Sequence, residues 1–157
     1  MTELFERDCV YISNASSKEE LFKEIYNKLL EKNYVNENFY EMIVERENNY
    51  PTGMDMSVVD NNLSNIAIPH TEPSTVNVTK VIPIKLKKEI EFNNMIDPSV
   101  KLNVKFIFMI LNEDGGEQTN ILASIMDFVT KTEDIEKMFD SNNIEFIYEF
   151  INKNFRR

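Results

Sequence analysis

The sequence contains few of the residues that cross-link or bend small proteins. Its 157 residues include a single cysteine, Cys9, three glycines and no tryptophan. One cysteine excludes an internal disulfide and is compatible with a reducing compartment. A chain of this length can bury about 68–70% of its extended surface in one core without cross-links. We therefore expect one domain over residues 1–157, with Cys9 as a small core residue.

Basic charge and long apolar runs are also scarce. Lysine and arginine number 17 against 27 acidic residues, which gives a formal net charge of −10. This charge opposes binding to nucleic acid and suits protein partners that have a basic docking face. The longest apolar run, at 106–111, has six residues, whereas a membrane helix needs about 20. With a charged N-terminus that is unlike a signal peptide, we expect a cytoplasmic protein with no direct membrane insertion.

Histidine occurs only once, as His70 in the stretch N-I-A-I-P-H-T-E at 65–72. The apolar residues at 66–68 are typical of a buried strand, and Pro69 removes a backbone donor, so the strand should end there. An imidazole at a strand end is neutral near pH 7, which leaves one ring nitrogen free as a nucleophile or ligand. The alternative is a half-buried histidine whose ring bonds only to the backbone. A zinc site would need further ligands.

A second stretch, E-R-E-N-N-Y-P-T-G-M at 45–54, places Arg46 near a helix end and a Pro-Thr-Gly turn behind it. Taken alone, Arg46 is compatible with a solvated cation that interacts favourably with the helix dipole. The turn that contains Thr52 is likewise compatible with a tight turn and nothing more.

Together, R-E-x-x-x-P-T-G and I-A-I-P-H resemble the enzyme IIA component, fructose/mannitol type (type 2), of the bacterial sugar phosphotransferase system. The similarity is closest to the galactitol-specific branch, and a weaker colinear similarity extends through nearly the whole chain. The resemblance implies that His70 accepts a phosphoryl group from the phosphocarrier HPr and passes it to a cysteine of enzyme IIB. It implies that Arg46 stabilises the phosphoryl charge, by electrostatics and positioning, without a metal or other cofactor.

Three further residues are expected to support the phosphoryl site. Backbone N–H groups of the turn or the Thr52 hydroxyl could contact the phosphate. Glu72 suits the galactitol branch, and Gln118 stands where many relatives have a second histidine. The residues at 62–64 depart from the family, because many relatives have a glycine there, which affects the loop before the strand.

The resemblance predicts HPr and enzyme IIB as partners, and association with the membrane IIC complex is compatible with it. The alternative is a regulatory phospho-switch of the same fold that acts on a protein partner and not in sugar uptake. A structural or metal-binding protein would require His70 to stay unphosphorylated and further ligands to be present.

Hydrophobic periodicity predicts an α/β sandwich, with a central mixed β-sheet flanked by helices. Overlapping capping boxes at 16–20 start the first helix, and Pro83 is expected at a sheet edge or bulge. The expected strands cover 5–13, 66–68, 75–85, 90–92 and a central 104–111, with a charged turn at 85–89. The expected helices cover about 18–32, 38–46, from 118 onward, 133–139 and 143–154.

Overall fold

The computed structural model describes the backbone of residues 3–157 and all of their side chains except those of 117–119. At its centre is a mixed five-stranded sheet in the order β1-β4-β5-β3-β2. The strands are β1 (Tyr11–Ser13), β2 (Gly53–Met54), β3 (Asn65–Ala67), β4 (Lys80–Asn93) and β5 (Lys101–Leu111). The pairs β1–β4 and β3–β5 are parallel, whereas β4–β5 and β2–β3 are antiparallel. The predicted mixed sheet and the central position of the 104–111 segment are confirmed.

Helices cover both faces of this sheet. They are α1 (Lys18–Glu31), α2 (Phe39–Asn49), α3 (Gln118–Lys131), α4 (Ile135–Asp140) and α5 (Ile144–Asn154). The predicted helix start is confirmed at Ser17, whose side chain accepts a hydrogen bond from the backbone N–H of Glu20 at 3.1 Å. Asn143 caps α5 in the same way through the N–H of Phe146, at 3.2 Å. Each cap satisfies a donor that the helix itself leaves unpaired.

The alternation of β5 separates two hydrophobic cores. Ile107 and Met109 pack with α1 and α2 on one face, whereas Phe106 and Phe108 pack with α3, α4 and α5 on the other. Side chains of successive strand residues point to opposite faces, so the apolar run at 106–111 supplies both cores. The predicted flanking of the sheet by helices is therefore confirmed.

The expected strand at 5–13 is wrong in its first half. Residues Arg7–Cys9 form a 3-10 turn, and only Tyr11–Ser13 pairs with β4. Phe5 packs in the core with α5, whereas Cys9 is buried in the opposite core. A straight strand places residues four apart on the same face, so the chain has to turn between Phe5 and Cys9.

The interpretation of 75–92 also needs correction. A 3-10 turn occupies Pro73–Thr75, and β4 then continues from Lys80 to Asn93 through the expected charged turn. The register of β4 against β5 shifts between Lys85 and Ile90, and not at Pro83. Pro83 lies in an interior strand, directly before Ile84, where pairing with β1 begins. A proline is tolerated at such a position because pairing on that side starts only after it.

Over the residues that the structure describes, no helix combines the length and the apolar character needed to cross a membrane.

Candidate active site

His70 lies just beyond the carboxyl end of β3. This strand is parallel to β5, and their contact is extended by a hydrogen bond from the N–H of Ile110 to the carbonyl of Pro69, at 3.0 Å. The carboxyl ends of parallel strands meet at one edge of a sheet, a common location for functional groups. The predicted strand end at Pro69 is confirmed, since β3 stops at Ala67.

One hydrogen bond determines which nitrogen of the His70 ring carries the proton. The Nδ1 atom lies 2.9 Å from the main-chain oxygen of Ile68. A carbonyl oxygen can only accept, so Nδ1 must carry the proton. In the neutral ring Nε2 then has the free electron pair, which makes it the nucleophilic atom.

The surroundings of His70 keep the ring neutral. Burial lowers the pKa of His70 below its ordinary value of 6.5, the hydrogen bond to Ile68 opposes this, and the charge of Arg46 lowers the pKa further. Both lowering effects disfavour an added proton on Nε2. His70 is therefore available as a nucleophile at neutral pH.

Arg46 is held near the end of α2 by two contacts. Its Nη1 lies 3.9 Å from Oε1 of Glu72, and its guanidinium carbon lies 4.5 Å from the centre of the Tyr50 ring. Its side chain is 37% exposed, so the ion pair is screened by solvent and weak. These contacts limit the orientations of the guanidinium without occupying all of its donors.

Arg46 and His70 share one small pocket. Its volume is about 160 Å³, and it is lined by Arg46, His70, Thr71, Glu72, Pro73 and Gly115. Pockets that hold small molecules are usually larger, roughly 300–1,000 Å³. Larger hollows of about 480 to 510 Å³ occur elsewhere on the described surface, but their linings contain neither Arg46 nor His70. The site at His70 thus suits a small group.

Two polar atoms of this pocket have unused hydrogen-bonding capacity. Among the described side chains, Nε of Arg46 and Oγ1 of Thr71 are buried and have no hydrogen-bond partner. Buried polar atoms without partners are rare and need an explanation. A bound group with several acceptor oxygens would supply the missing partners.

The structure brings together some of the predicted site residues and not others. Arg46, His70 and Glu72 line the same pocket. Thr52 is 3% exposed and donates to Glu47 through both its backbone N–H and its hydroxyl, at 2.7 and 2.8 Å. Gln118 is the first residue of α3, but its side chain lies outside the described residues.

Sequence reasoning missed Thr71 and the contribution of Gly115. Gly115 lines the pocket, and a Cβ there would lie 3.1 Å from Cγ of Pro73. Thr71 follows His70 directly, and that adjacency was the available signal. The closeness of Gly115 to Pro73 depends on long-range packing and left no local signal.

The family of the chain follows from its sequence. Residues 3–154 match the model of the family described as "Phosphoenolpyruvate-dependent sugar phosphotransferase system, EIIA 2". Because the match extends over nearly the whole chain, the protein belongs to this family and is a phosphotransferase component of that system. No curated protein matches the sequence.

Solved structures share the fold at low sequence identity. IIA mannitol from Escherichia coli has a TM-score of 0.71 at 18% identity, covering 93% of this chain and 97% of that one. A chain in the complex of enzyme IIAMtl with phosphorylated enzyme IIBMtl from the same organism has a TM-score of 0.73 at 18% identity. The match covers 96% of this chain and 99% of that one. The nitrogen regulatory protein IIA-Ntr from Neisseria meningitidis has a TM-score of 0.69 at 17% identity, and the match covers 94% of this chain and 96% of that one.

Proposed function

We propose that the protein is a phosphocarrier that accepts a phosphoryl group from phospho-HPr on Nε2 of His70 and passes it to the cysteine of an enzyme IIB. One observation carries the proposal. A neutral histidine, with its proton held at Nδ1 by Ile68, lies in a small pocket with buried, unpaired polar atoms of Arg46 and Thr71. This combination provides a nucleophile and hydrogen-bonding groups for the phosphoryl oxygens.

The first step forms one P–N bond and breaks another. The electron pair of Nε2 attacks phosphorus in line, while the bond from phosphorus to the donor histidine breaks and its electrons return to that imidazole. The Nδ1–H bond to Ile68 stabilises the positive charge that the ring of His70 gains. In the second step the thiolate of enzyme IIB attacks the same phosphorus, and the P–N bond at His70 breaks with return of its electrons to Nε2.

Arg46 and Thr71 stabilise the charge on the transferring group. Charge spreads over three phosphoryl oxygens in a loose transition state, so a preorganised guanidinium is effective there. Nε of Arg46 and the Thr71 hydroxyl can donate without giving up an existing hydrogen bond. Glu72, which pairs with Arg46 at 3.9 Å, gives way to the phosphoryl group and holds the guanidinium while the site is empty.

Membership of the galactitol-type branch is part of the proposal. It is supported by the sequence resemblance at Glu72 and Gln118. It makes enzyme IIB the partner that receives the phosphoryl group in the cytoplasm, and association with the membrane IIC complex is compatible with it. The small pocket at His70 is compatible with this role, because the sugar need not bind to a phosphocarrier.

The relay can be tested with purified components. The protein and a His70→Ala variant are incubated with phosphoenolpyruvate, enzyme I and HPr, and intact mass is followed. We expect a gain of one acid-labile phosphate in the wild type only, and its loss on addition of a galactitol-type enzyme IIB. No gain while HPr itself is phosphorylated would contradict the proposal.

A regulatory phospho-switch is the second candidate, because IIA-Ntr, a nitrogen regulatory protein, shares the fold. The same His70 chemistry would serve both functions. Rapid transfer to enzyme IIB supports the carrier. Stable binding of a single phosphoform to a regulator, with no transfer to any enzyme IIB, would support the switch.

A further inference from the structure

A buried carboxylate lies directly next to Arg46 in the sequence. The buried residues of α2 are Phe39, Ile43 and Glu47, which occupy one face of the helix at four-residue spacing. Glu47 is 2% exposed, although a carboxylate in that position is costly unless it is hydrogen-bonded. The proposed transfer step does not by itself require an acid here, so its presence needs a reason.

Both side-chain oxygens of Glu47 accept hydrogen bonds from the same residue, Thr52. Oε2 accepts from the backbone N–H of Thr52 at 2.7 Å, and Oε1 accepts from the Thr52 hydroxyl at 2.8 Å. Thr52 is its only hydrogen-bond partner among the described residues. Lys18, at the start of α1, is the cation whose charge lowers the pKa of Glu47. The carboxylate therefore fixes the Pro-Thr-Gly turn against the end of α2.

The Pro-Thr-Gly turn is also hydrogen-bonded to the strand that precedes His70. The N–H of Ile68 points to the carbonyl of Thr52 at 3.4 Å, and Gly53 pairs with Ala67 in β2–β3. The carbonyl of the same Ile68 then accepts from Nδ1 of His70. A short series of hydrogen bonds thus connects the helix of Arg46 with the ring of His70, although 24 positions separate them in the sequence.

On its other side the turn is in close contact with the β4–β5 hairpin. A Cβ at Gly53 would lie 2.6 Å from the main-chain oxygen of Asn93, and the carbonyl of Gly53 accepts from the N–H of Met95 at 2.8 Å. A side chain larger than that of glycine would therefore not fit at Gly53. The turn is held by the β4–β5 hairpin on this side and by the two hydrogen bonds to Glu47 on the other.

We infer that Glu47 is a positioning residue for phosphoryl transfer, which acts through Thr52 to set the distance between Arg46 and His70. This inference rests on the proposed function. A misplacement of about 1 Å can cost on the order of 10²-fold in rate. The effect should therefore appear in the transfer step within the complex and not in the affinity for the donor.

The test uses paired variants of Glu47. Glu47→Leu removes both acceptors, whereas Glu47→Gln keeps an oxygen for the Thr52 N–H and an amide that can donate to the hydroxyl. We expect Glu47→Leu to lower kcat for acceptance from phospho-HPr by roughly 10–100-fold, with KM within about twofold of wild type, and Glu47→Gln to restore kcat. Glu45→Gln, an exposed neighbour on α2, is the control and should leave the rate unchanged.

A second arm separates positioning from general weakening of the fold. In an Arg46→Ala background, Glu47→Leu should cause little further loss, because the group that it positions is already absent. An equal loss in both backgrounds would overturn the inference. If Glu47→Leu does not melt cooperatively, Thr52→Val replaces it, with Thr52→Ser as the conservative control. An unchanged transfer rate in Thr52→Val would also overturn the inference.

The two proposals fail in different ways. A wild-type protein that takes no phosphoryl group from active phospho-HPr refutes the phosphocarrier function. A phosphorylated wild type and an equally fast, folded Glu47→Leu variant refute only the role of Glu47.

Discussion

The ring of His70 is bonded to its own chain, with Nδ1 at 2.9 Å from the carbonyl oxygen of Ile68. Ile68 also directs its N–H to Thr52, so one residue of the strand end orients the imidazole and contacts the Pro-Thr-Gly turn. Backbone groups therefore orient the nucleophilic ring.

Removal of the imidazole should abolish phosphorylation and leave the fold intact. His70→Ala loses one hydrogen bond, worth roughly 0.5–1.5 kcal/mol, and the residue is only half-buried. We expect a far-UV circular dichroism spectrum like that of the wild type and a melting temperature only a few degrees lower, with no phosphoryl uptake. A variant that fails to fold would show that the ring has a larger structural role.

Arg46→Ala should slow phosphoryl acceptance by about 10²–10³-fold, the loss expected for one preorganised charge stabiliser. Arg7 offers a matched control, because it pairs with Glu145 and its guanidinium carbon lies 4.7 Å from the centre of the Tyr148 ring. Arg7→Ala removes an ion pair and an aromatic contact of the same kind, at a residue that does not line the pocket of His70. Equal rates for both variants in a quenched-flow assay would refute the role of Arg46.

Glu72→Gln should favour the phosphorylated form. It removes the carboxylate that competes for Arg46 at 3.9 Å. A pair this exposed is worth about 0–1 kcal/mol, so the equilibrium with phospho-HPr should shift by no more than about fivefold. Glu145→Gln, which removes the partner of Arg7, should leave the equilibrium unchanged. A shift toward the unphosphorylated form in Glu72→Gln would mean that Glu72 itself assists the phosphoryl group.

The pH profile should reflect the lowered pKa of His70. Since burial and Arg46 both lower this pKa from 6.5, the loss of acceptance rate caused by protonation of His70 should have its midpoint below pH 6.5. Arg46→Ala should move the midpoint upward, though not fully to 6.5, because burial remains. NMR titration of the single histidine measures both midpoints, and an unshifted midpoint in the variant would show that Arg46 has no electrostatic effect on the ring.

Glu47 should make the protein less stable as pH rises. Burial raises the pKa of Glu47 from 4.5 to about 7, against the lowering effects of Thr52 and Lys18. The unfolded chain loses this proton above pH 4.5 and the folded chain keeps it to about pH 7, so this contribution to stability is complete below pH 4.5 and lost by about pH 7. At about 1.4 kcal/mol per pKa unit, the contribution is roughly 3 kcal/mol.

Urea denaturation at several pH values measures this contribution. The difference in unfolding free energy between wild type and Glu47→Gln should change across pH 5–8, with the wild type losing stability relative to the variant. His70 contributes to both proteins alike and cancels in the comparison. If the unfolding free energies of wild type and Glu47→Gln change in parallel with pH, Glu47 is ionised in the folded protein throughout this range.

The sequence predicted the site where its signals were local. Pro69 ends the strand before His70, the serine and glutamate pattern starts α1, and the motif pair identifies Arg46 and His70 by resemblance. The two arginine contacts, with Glu72 and Tyr50, involve residues that the motif stretches already contain. Short-range chemistry of this kind is readable without a structure.

Errors arose where packing between distant segments decides the conformation. The turn between Phe5 and Cys9 is needed because these residues belong to opposite cores, and alternation within 5–13 cannot show that. The long β4 continues through charged residues because β5 pairs with it on both sides of the register shift. The two donors of Thr52 both bond to Glu47, and the sequence contains no local signal for the burial of that glutamate.

The most direct test of the account concerns the atom that carries the phosphoryl group. The protein contains one histidine, so ¹⁵N labelling of that residue, followed by treatment with phosphoenolpyruvate, enzyme I and HPr, gives an unambiguous ³¹P–¹⁵N coupling. We predict coupling to Nε2, with Nδ1 still protonated and bonded to Ile68. A phosphoryl group on Nδ1, or none on the ring, would contradict the account.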